Sequence, residues 1–123
     1  MLGGGLLSGT VSGHTEAGDP QRTASRLQGD NLKHNIQIVS FLKKMAGDKG
    51  YTPSQLAIAW LLSCGEDIVP QIGMNHPSRL PENLTLLDIS FSKDELAALD
   101  QAFAQGMILG DHYPAFVMEY LPR

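Results

Sequence analysis

The chain has 123 residues, and its 42% of hydrophobic residues is enough for the modest core of one domain, which excludes a mainly disordered protein. No window reaches the roughly 18 apolar residues that a membrane helix needs, and no basic segment followed by an apolar run opens the chain, so we expect a cytoplasmic protein without a membrane span. The formal charge is -4, and no basic cluster is longer than Lys43-Lys44, which argues against nucleic acid as a partner.

The first 30 residues are rich in Gly, Ser, Thr, Asp and Pro and have no sustained helical or strand period, which predicts a long loop. From Asn31 onward an apolar stripe with helical spacing follows, formed by Leu32, Ile36, Val39, Leu42 and Ala46. The stripe predicts an amphipathic helix over about residues 31–48, with Asp30 capping its start and Gly50 suited to a left-handed stop.

A second helix start is predicted at Thr52-Pro53-Ser54-Gln55. A hydroxyl at the N-cap and glutamine at the third helical position accept hydrogen bonds from two backbone amides that a helix start leaves unpaired, and proline suits the first helical position because it has no amide there. This mostly apolar helix should run to about Cys64, the one cysteine of the chain, which we expect to pack in the core.

A short apolar segment, residues 68–72, has the length and branched side chains of a β-strand, although Pro70 lacks a ladder donor. The sequence then predicts a helix over residues 77–87, capped by Asn75 or His76, with Pro81 unfavourable inside it. A lone strand leaves its backbone groups unpaired, so the element that pairs with it is missing from this stretch of sequence.

The last predicted helix covers residues 92–105, opened by a capping box between Ser92 and Glu95 and ended by Gly106. A tail follows that contains Tyr113, Phe116 and Tyr120. No fixed-period repeat is present, so nothing supports a solenoid or propeller.

Two segments have the composition of a binding site. The run Gly3-Gly4-Gly5-Leu6-Leu7-Ser8-Gly9 fits neither a phosphate-binding P-loop nor the dinucleotide fingerprint, so read alone it is a flexible loop. In residues 72–83, amides at a helix start together with Arg79 could receive a phosphate, or the same polar residues could simply cap a turn. The four histidines are too dispersed for a metal site, and no nucleophile elbow occurs.

Five segments resemble motifs of the aldo-keto reductase family and follow one another along the chain in the order of the family's motifs. "LGGGLLSG" is similar to the family's "PLGRGLLTG", "RLQGDN" to its "RFQGEN", "TPSQLA" to its "TPAQLA", and "SKDELAAL" to its "SAEELAAL". The longest, beginning "IVPQIGMNHPSRL", is similar to the family's "IVPIPGTKRPERLEEN". They occupy residues 2–9, 26–31, 52–57, 92–99 and 68–83.

The resemblance implies an α/β fold, here a partial (β/α)8 TIM barrel that is mostly helical with one clear strand. Residues 1–123 would be the C-terminal portion of an oxidoreductase barrel domain, with a cofactor loop at 1–30 and a C-terminal tail at 107–123. The segment 68–72 would be the eighth strand of the barrel. In the family the tail overhangs the substrate pocket, so Tyr113, Phe116 and Tyr120 are either a substrate lid or packing residues.

The resemblance also implies NAD(P)H-dependent reduction of an aldehyde or ketone by hydride transfer, with a nicotinamide cofactor and a small carbonyl compound as partners. Carried over residue by residue, it assigns the pyrophosphate loop to Leu2, Gly3 and Gly5. It assigns the adenosine end of the cofactor to Gly73, Met74, Asn75, Arg79, Glu82 and Asn83. NADP is the expected cofactor, and NAD stays open because Asn75-His76 stands where many members carry Lys-Arg.

No catalytic residue is assigned, because no tyrosine of the chain matches the motif of the family's general acid. The function we expect is therefore that of a reductase segment holding part of the cofactor site without the catalytic half. The alternative is a catalytically inactive fragment that acts as a binding or assembly module. An unpaired strand and apolar helix faces would then lead to self-association or to pairing with a complementing barrel fragment.

Overall fold

A computed structural model describes residues 2–9, 11 and 24–121 of the chain. The helices within these residues are α1 Gly29–Lys49, α2 Pro53–Ser63, α3 Arg79–Leu84, α4 Lys93–Ala102 and α5 Ala115–Met118. Short 3-10 turns occupy Leu6–Ser8, Ser25–Leu27 and Thr85–Asp88. No helix among the described residues has the length and apolar character needed to cross a membrane.

The first two helices form where the sequence predicts them. Gly50 ends α1 at φ 78°, a left-handed conformation that favours glycine, and its amide donates to the carbonyl oxygens of Ala46 and Gly47. Thr52 and Gln55 form both hydrogen bonds of the predicted capping box at the start of α2. The cap predicted for α1 is wrong, because Gln28 is the N-cap residue and Asp30 lies in the first turn.

The core lies between α1, α2 and α4. One cluster of buried side chains joins these three helices and contains Leu42, Ala46, Leu56, Ala57 and Leu99. A second cluster packs the chain start against α1 and contains Leu6, Leu27, Leu32 and Val39. The apolar stripe predicted for α1 therefore faces the core.

The helix predicted over 77–87 is shorter and begins later. It starts at Arg79, which puts Pro81 in the first turn, where a backbone amide has no partner within the helix. The chain then tightens into the 3-10 turn Thr85–Asp88. Ser78 is the N-cap residue and makes no side-chain cap, so the predicted caps Asn75 and His76 are wrong.

The strand predicted at 68–72 is not confirmed, since the described residues contain no β-strand. A strand exists only as part of a ladder, and no described segment pairs with this one. Val69 at its centre is 89% exposed. The mostly helical character expected of the chain is confirmed.

Two features near the ends of helices differ from expectation. Cys64 is exposed rather than in the core, because it lies beyond α2, whose buried part is Gln55–Ala59. The capping box of α4 forms between Ser92 and Glu95 as predicted, but the helix ends at Ala102, before Gly106. The tail contains the short helix α5, which no local signal indicated.

Candidate functional site

The glycine loop, defined here as residues 2–9, contains three consecutive glycines with positive φ: Gly3 at 60°, Gly4 at 69° and Gly5 at 91°. Such angles are readily adopted only by glycine. The carbonyl oxygen of Leu2 accepts hydrogen bonds from the amides of Gly5 and Leu7, each at 3.1 Å, which folds the loop into a tight turn. The amides of Gly3 and Gly4 donate to no backbone carbonyl in the described part of the chain.

The glycine loop is held in place by its own apolar residues. Leu6 is 2% exposed and packs against Leu27, Leu32 and Val39. At the other end of the loop, Gly9 has φ 75°, which favours glycine, and a Cβ on it would lie 3.0 Å from Pro53 Cγ at the start of α2. The loop is therefore fixed to α1 and α2, and its open amides have a defined position.

The second group of predicted site residues lies around α3. Gly73, Met74 and Asn75 form an exposed loop before the helix. Arg79, Glu82 and Asn83 follow at the i, i+3, i+4 spacing that puts side chains on one helix face. Arg79 is exposed and forms no ion pair with a described residue, so its guanidinium is available to a ligand.

Gln55 connects α3 to α2. It is 6% exposed, and its Oε1 accepts the capping-box hydrogen bond from the amide of Thr52 at 2.8 Å. Its Nε2 donates to the carbonyl oxygen of Glu82 at 2.7 Å and to Thr85 Oγ1 at 2.8 Å. The same side chain thus starts α2 and positions the helix that carries Arg79. The sequence indicated the first role and gave no signal for the second.

The structure does not bring the two groups of predicted residues into contact. The glycine loop packs on α1 and α2, whereas α3 packs against the 3-10 turn Thr85–Asp88, which itself lies on α2. Among described residues, no hydrogen bond or ion pair joins the glycine loop to α3. Both groups are connected to α2, the glycine loop directly and α3 through the 3-10 turn.

A clasp between the start of α1 and residues 107–112 was missed by the sequence analysis. Asn35 is completely buried, and its Nδ2 donates to the carbonyl oxygens of Arg26 at 3.0 Å and Leu109 at 2.8 Å. Its Oδ1 accepts from the amide of Leu109 at 2.8 Å. Arg26 Nε and Nη2 donate to the carbonyl oxygens of Asp111 and Gly110 at 3.1 and 3.2 Å. The clasp holds residues 107–112 beside the glycine loop.

Arg26 has an unusual electrostatic environment for an arginine, since only 7% of the residue is exposed. Desolvation by burial lowers the pKa of its guanidinium, and the negative charge of Asp111 partly offsets this effect. An arginine stays protonated despite such a shift, so a positive charge lies close to the glycine loop.

The three aromatic residues of the tail do not pack into the core. Tyr113 is 51% exposed, Phe116 69% and Tyr120 86%. Packing against the described core is therefore not confirmed for these side chains, and the substrate-lid alternative stays a prediction.

An open apolar groove of about 320 Å³ lies between the end of α2 and the start of α4. Its lining combines the C-terminal half of α2 with the segment before α4 and includes Leu62, Leu86, Leu87, Ile89, Phe91 and Leu96. Leu87 in this lining is 67% exposed. A groove of this kind buries apolar surface when another element covers it.

Comparison with known proteins matches this chain to one family. The family described as "Aldo/keto reductase family" matches residues 1–104. The chain is 33% identical to "Aldo-keto reductase yakc [NADP(+)]" of Schizosaccharomyces pombe over 115 residues, which are 92% of this chain and 34% of that protein. It is 31% identical to "Probable aldo-keto reductase 1" of Glycine max over 113 residues, 91% of this chain and 33% of the relative. The chain spans about a third of the length of these curated relatives.

Proposed function

Since the chain belongs to the aldo-keto reductase family, we propose that it supplies part of the nicotinamide-cofactor site of an enzyme that reduces an aldehyde or ketone by hydride transfer. The observation that carries this proposal is the glycine loop, whose fold leaves backbone amides open at a fixed position. Backbone amides in such a turn are suited to the oxygens of a diphosphate. Leu2, Gly3 and Gly5 would border the diphosphate of the cofactor. Gly3 offers an open amide to it, whereas the amide of Gly5 donates to the carbonyl oxygen of Leu2 within the loop.

The adenosine end of the cofactor would lie along α3. The guanidinium of Arg79 has no ion pair among the described residues, so it can stack on an adenine ring or pair with a phosphate. Glu82 and Asn83, on the same helix face, offer a carboxylate and an amide for the polar edge of the adenine. Gly73, Met74 and Asn75 would border this end from the exposed loop.

NADP is the cofactor that we propose, with NAD as the alternative. The relative from Schizosaccharomyces pombe carries NADP(+) in its name. In this chain Arg79 is the cation near the proposed adenosine end, and Asn75-His76 precedes it. A 2'-phosphate adds negative charge to the ligand, so a preference for NADP would depend on Arg79.

The chemical step would require residues that we do not assign to this chain. Bound cofactor supplies the hydride, and the residues described here bind and orient its phosphate and adenosine parts. An isolated chain should therefore bind the cofactor without reducing a carbonyl compound. We also propose that the protein acts in the cytoplasm.

The experiment is calorimetric titration of the full chain with NADPH and with NADH, repeated on Arg79→Ala. We expect saturable NADPH binding that weakens about ten-fold in Arg79→Ala, because one charge-assisted contact to phosphate is lost. Lys44→Ala is the matched control, since it removes an exposed positive charge whose ion-pair partner is Asp48. No binding of either nucleotide, or equal binding by Arg79→Ala, would contradict the proposal.

A second candidate function is that of an inactive binding or assembly module. It is favoured by the apolar groove beside α2 and by Val69, which is 89% exposed within the unpaired segment 68–72. Self-association, or pairing with a complementing barrel fragment, would cover both surfaces.

Sedimentation at increasing concentration tests this candidate. We expect wild-type chain to associate and Val69→Lys with Leu87→Lys to shift the equilibrium toward monomer, because two apolar side chains that association would bury become charged. Lys33→Glu is a control for surface charge, as its side chain is 79% exposed. A wild-type chain that stays monomeric at all concentrations would rule out self-association.

A further inference from the structure

A cavity of about 280 Å³ lies between the glycine loop and residues 103–112. Its walls include Gly3, Leu7, Arg26, Phe103, Ile108 and His112. The clasp formed by Asn35 and Arg26 builds one wall, because it fixes residues 107–112 in place. The cavity thus depends on contacts between parts of the chain more than 70 residues apart.

The polar side chains that line this cavity are those of Arg26, Gln105 and His112, and among them only Arg26 is buried. Two nitrogens of the Arg26 guanidinium, Nε and Nη2, donate to backbone carbonyls. Nη1 has no hydrogen-bond partner among the described residues, and it lies 3.9 Å from the position that a Cβ on Gly3 would occupy. Since Gly3 and Arg26 both line the cavity, Nη1 is a buried, charged donor that a ligand there would meet, beside the exposed side chains of Gln105 and His112.

An oxyanion is the chemical group that satisfies such a donor. The guanidinium carries a full charge in a place from which most water is excluded, and hydrogen bonds from a desolvated arginine to carboxylate or phosphate are strong. Asp111 acts on Arg26 through its charge, but no ion pair joins the two side chains in the described structure. The positive charge is therefore only partly compensated within the protein.

The remaining walls define the rest of the ligand. Leu7, Phe103 and Ile108 offer apolar surface on the sides of the cavity. At about 30 Å³ for each water molecule, a volume of 280 Å³ corresponds to roughly nine waters, or to a ring with one carboxylate. A ligand with an apolar body of this size would bury its surface against these side chains.

We propose that this cavity binds a small organic oxyanion, namely an apolar body of about one ring that carries a carboxylate, with Arg26 Nη1 as its donor. The site goes beyond the proposed cofactor function, because it uses neither Arg79 nor α3. Gly3 belongs to both the cavity and the proposed diphosphate loop. Diphosphate is consequently the other source of an oxyanion at this place, and one arm of the experiment separates the two.

The test is an NMR titration of the full, isotope-labelled chain with benzoate, with its neutral analogue benzamide and with inorganic pyrophosphate. We expect benzoate to give saturable shifts at the amides of Gly3, Gly106 and Ile108, with an affinity at least about ten-fold above that of benzamide or pyrophosphate. Equal affinity for benzamide would show that the charge of the carboxylate does not contribute to binding, which would contradict the proposal. Tighter binding of pyrophosphate would assign the site to diphosphate and overturn the proposal, as would the absence of saturable shifts.

Two variants locate the ligand. Ala104→Trp fills the cavity from its exposed rim and leaves every polar contact of the clasp intact, so we expect it to abolish benzoate binding. Arg26→Gln removes the donor and should weaken binding about ten-fold, whereas Lys44→Gln, which removes an exposed charge, should not. If Arg26→Gln loses its helical circular dichroism, the variant has unfolded, and the benzoate affinity of Ala104→Trp and the comparison with benzamide then decide whether the site exists. Wild-type benzoate affinity in Ala104→Trp would refute the site.

Discussion

Asn35 occupies a position of α1 where the helical spacing calls for an apolar side chain. It lies three residues after Leu32 and four before Val39, and like them it is buried. A polar side chain is tolerated there because its donor and acceptor atoms are paired with the backbone of Arg26 and Leu109. Its hydrogen bonds do not add to α1 itself but determine where residues 107–112 lie.

Gly110 completes this clasp through its lack of a side chain. Its φ is +89°, and a Cβ built on it would lie 2.5 Å from the backbone nitrogen of Arg26. We predict that Gly110→Ala opens the clasp, because the clash is with backbone that cannot move aside without breaking the hydrogen bonds of Arg26.

Hydrogen exchange of the amides of Leu109 and Asp111 measures this effect and should accelerate at least about ten-fold, which corresponds to about 1.4 kcal/mol of lost local stability. Gly106→Ala is the control, since Gly106 has φ +88° but no atom within 4 Å of an added Cβ. If the two variants exchange alike, backbone strain rather than the clash is responsible and the prediction fails.

Helix starts in this chain also serve as connections between elements. At α2, Gln55 closes the capping box with Thr52 and holds the chain at Glu82 and Thr85. At α4, Glu95 closes the capping box with Ser92 and forms an ion pair of 3.0 Å with Lys49 at the end of α1. A local motif that is readable in sequence thus determines part of the tertiary arrangement.

Substitution at Gln55 should separate its two roles. We predict that Thr52→Ala, which removes only the cap, costs about 1 kcal/mol of unfolding free energy. Gln55→Met also removes the contacts to Glu82 and Thr85 and should cost about 2 kcal/mol. Urea denaturation measures both values. NADPH affinity should fall in Gln55→Met alone, since only that variant releases α3; an equal loss in Thr52→Ala would contradict the positioning role.

Glu95 makes the stability of the α4 start dependent on pH. The backbone hydrogen bond at Ser92, and next the hydrogen bond from Lys49, lower the pKa of its carboxyl group. A carboxyl group with a lowered folded-state pKa stabilises the fold at neutral pH, and this contribution is lost as the pH falls below the ordinary range of a glutamate and through that lowered pKa. We predict that Glu95→Gln unfolds with a smaller loss of stability between pH 6 and pH 3 than wild type, measured by thermal unfolding.

The matched control for that measurement is Asp48→Asn. Asp48 also pairs with a lysine, Lys44, but both side chains are largely exposed, at 66% and 77%. Such pairs contribute little to stability. A change in acid sensitivity as large in Asp48→Asn as in Glu95→Gln would show that the effect is one of net charge and not of the capping box.

Packing is unevenly distributed over the whole molecule. The buried residues of the helical core lie on α1, α2 and α4, whereas no residue from 60 to 85 is fully buried. This stretch contains the unpaired segment 68–72 and all of α3. Regions with few buried apolar contacts open at low free-energy cost, so we expect residues 65–82 to open before the core does.

Brief digestion with trypsin tests this prediction, because the chain carries comparable sites in both regions. Cleavage after Arg79, which is exposed, should be at least about ten-fold faster than cleavage after Arg26, which is 7% exposed and held by the clasp. Mass spectrometry of the fragments measures the two rates. Equal rates would mean that the region around Arg26 opens as readily as α3, which would contradict the stability assigned to the core.

The sequence by itself determined the local features of this protein. The capping boxes at Thr52 and Ser92, the glycine stop at Gly50 and the buried stripe of α1 all depend on residues within one or two helical turns. The sequence also indicated the family, because the family's motifs occur in order along the chain. The match over residues 1–104 confirms the family. The individual cofactor residues remain predictions.

Only the tertiary structure decided the features that depend on distant partners. Segment 68–72 has the composition of a strand, but a ladder requires a second segment, and none of the described residues provides one. In the sequence, nothing distinguishes Arg26 and Asn35 from other polar residues. Their roles follow from hydrogen bonds with Gly110 and Leu109, which lie beside them only in the fold. Hydrogen bonds between residues more than 70 positions apart leave no periodic signal in a sequence, since the geometry that forms them exists only after the helices have packed.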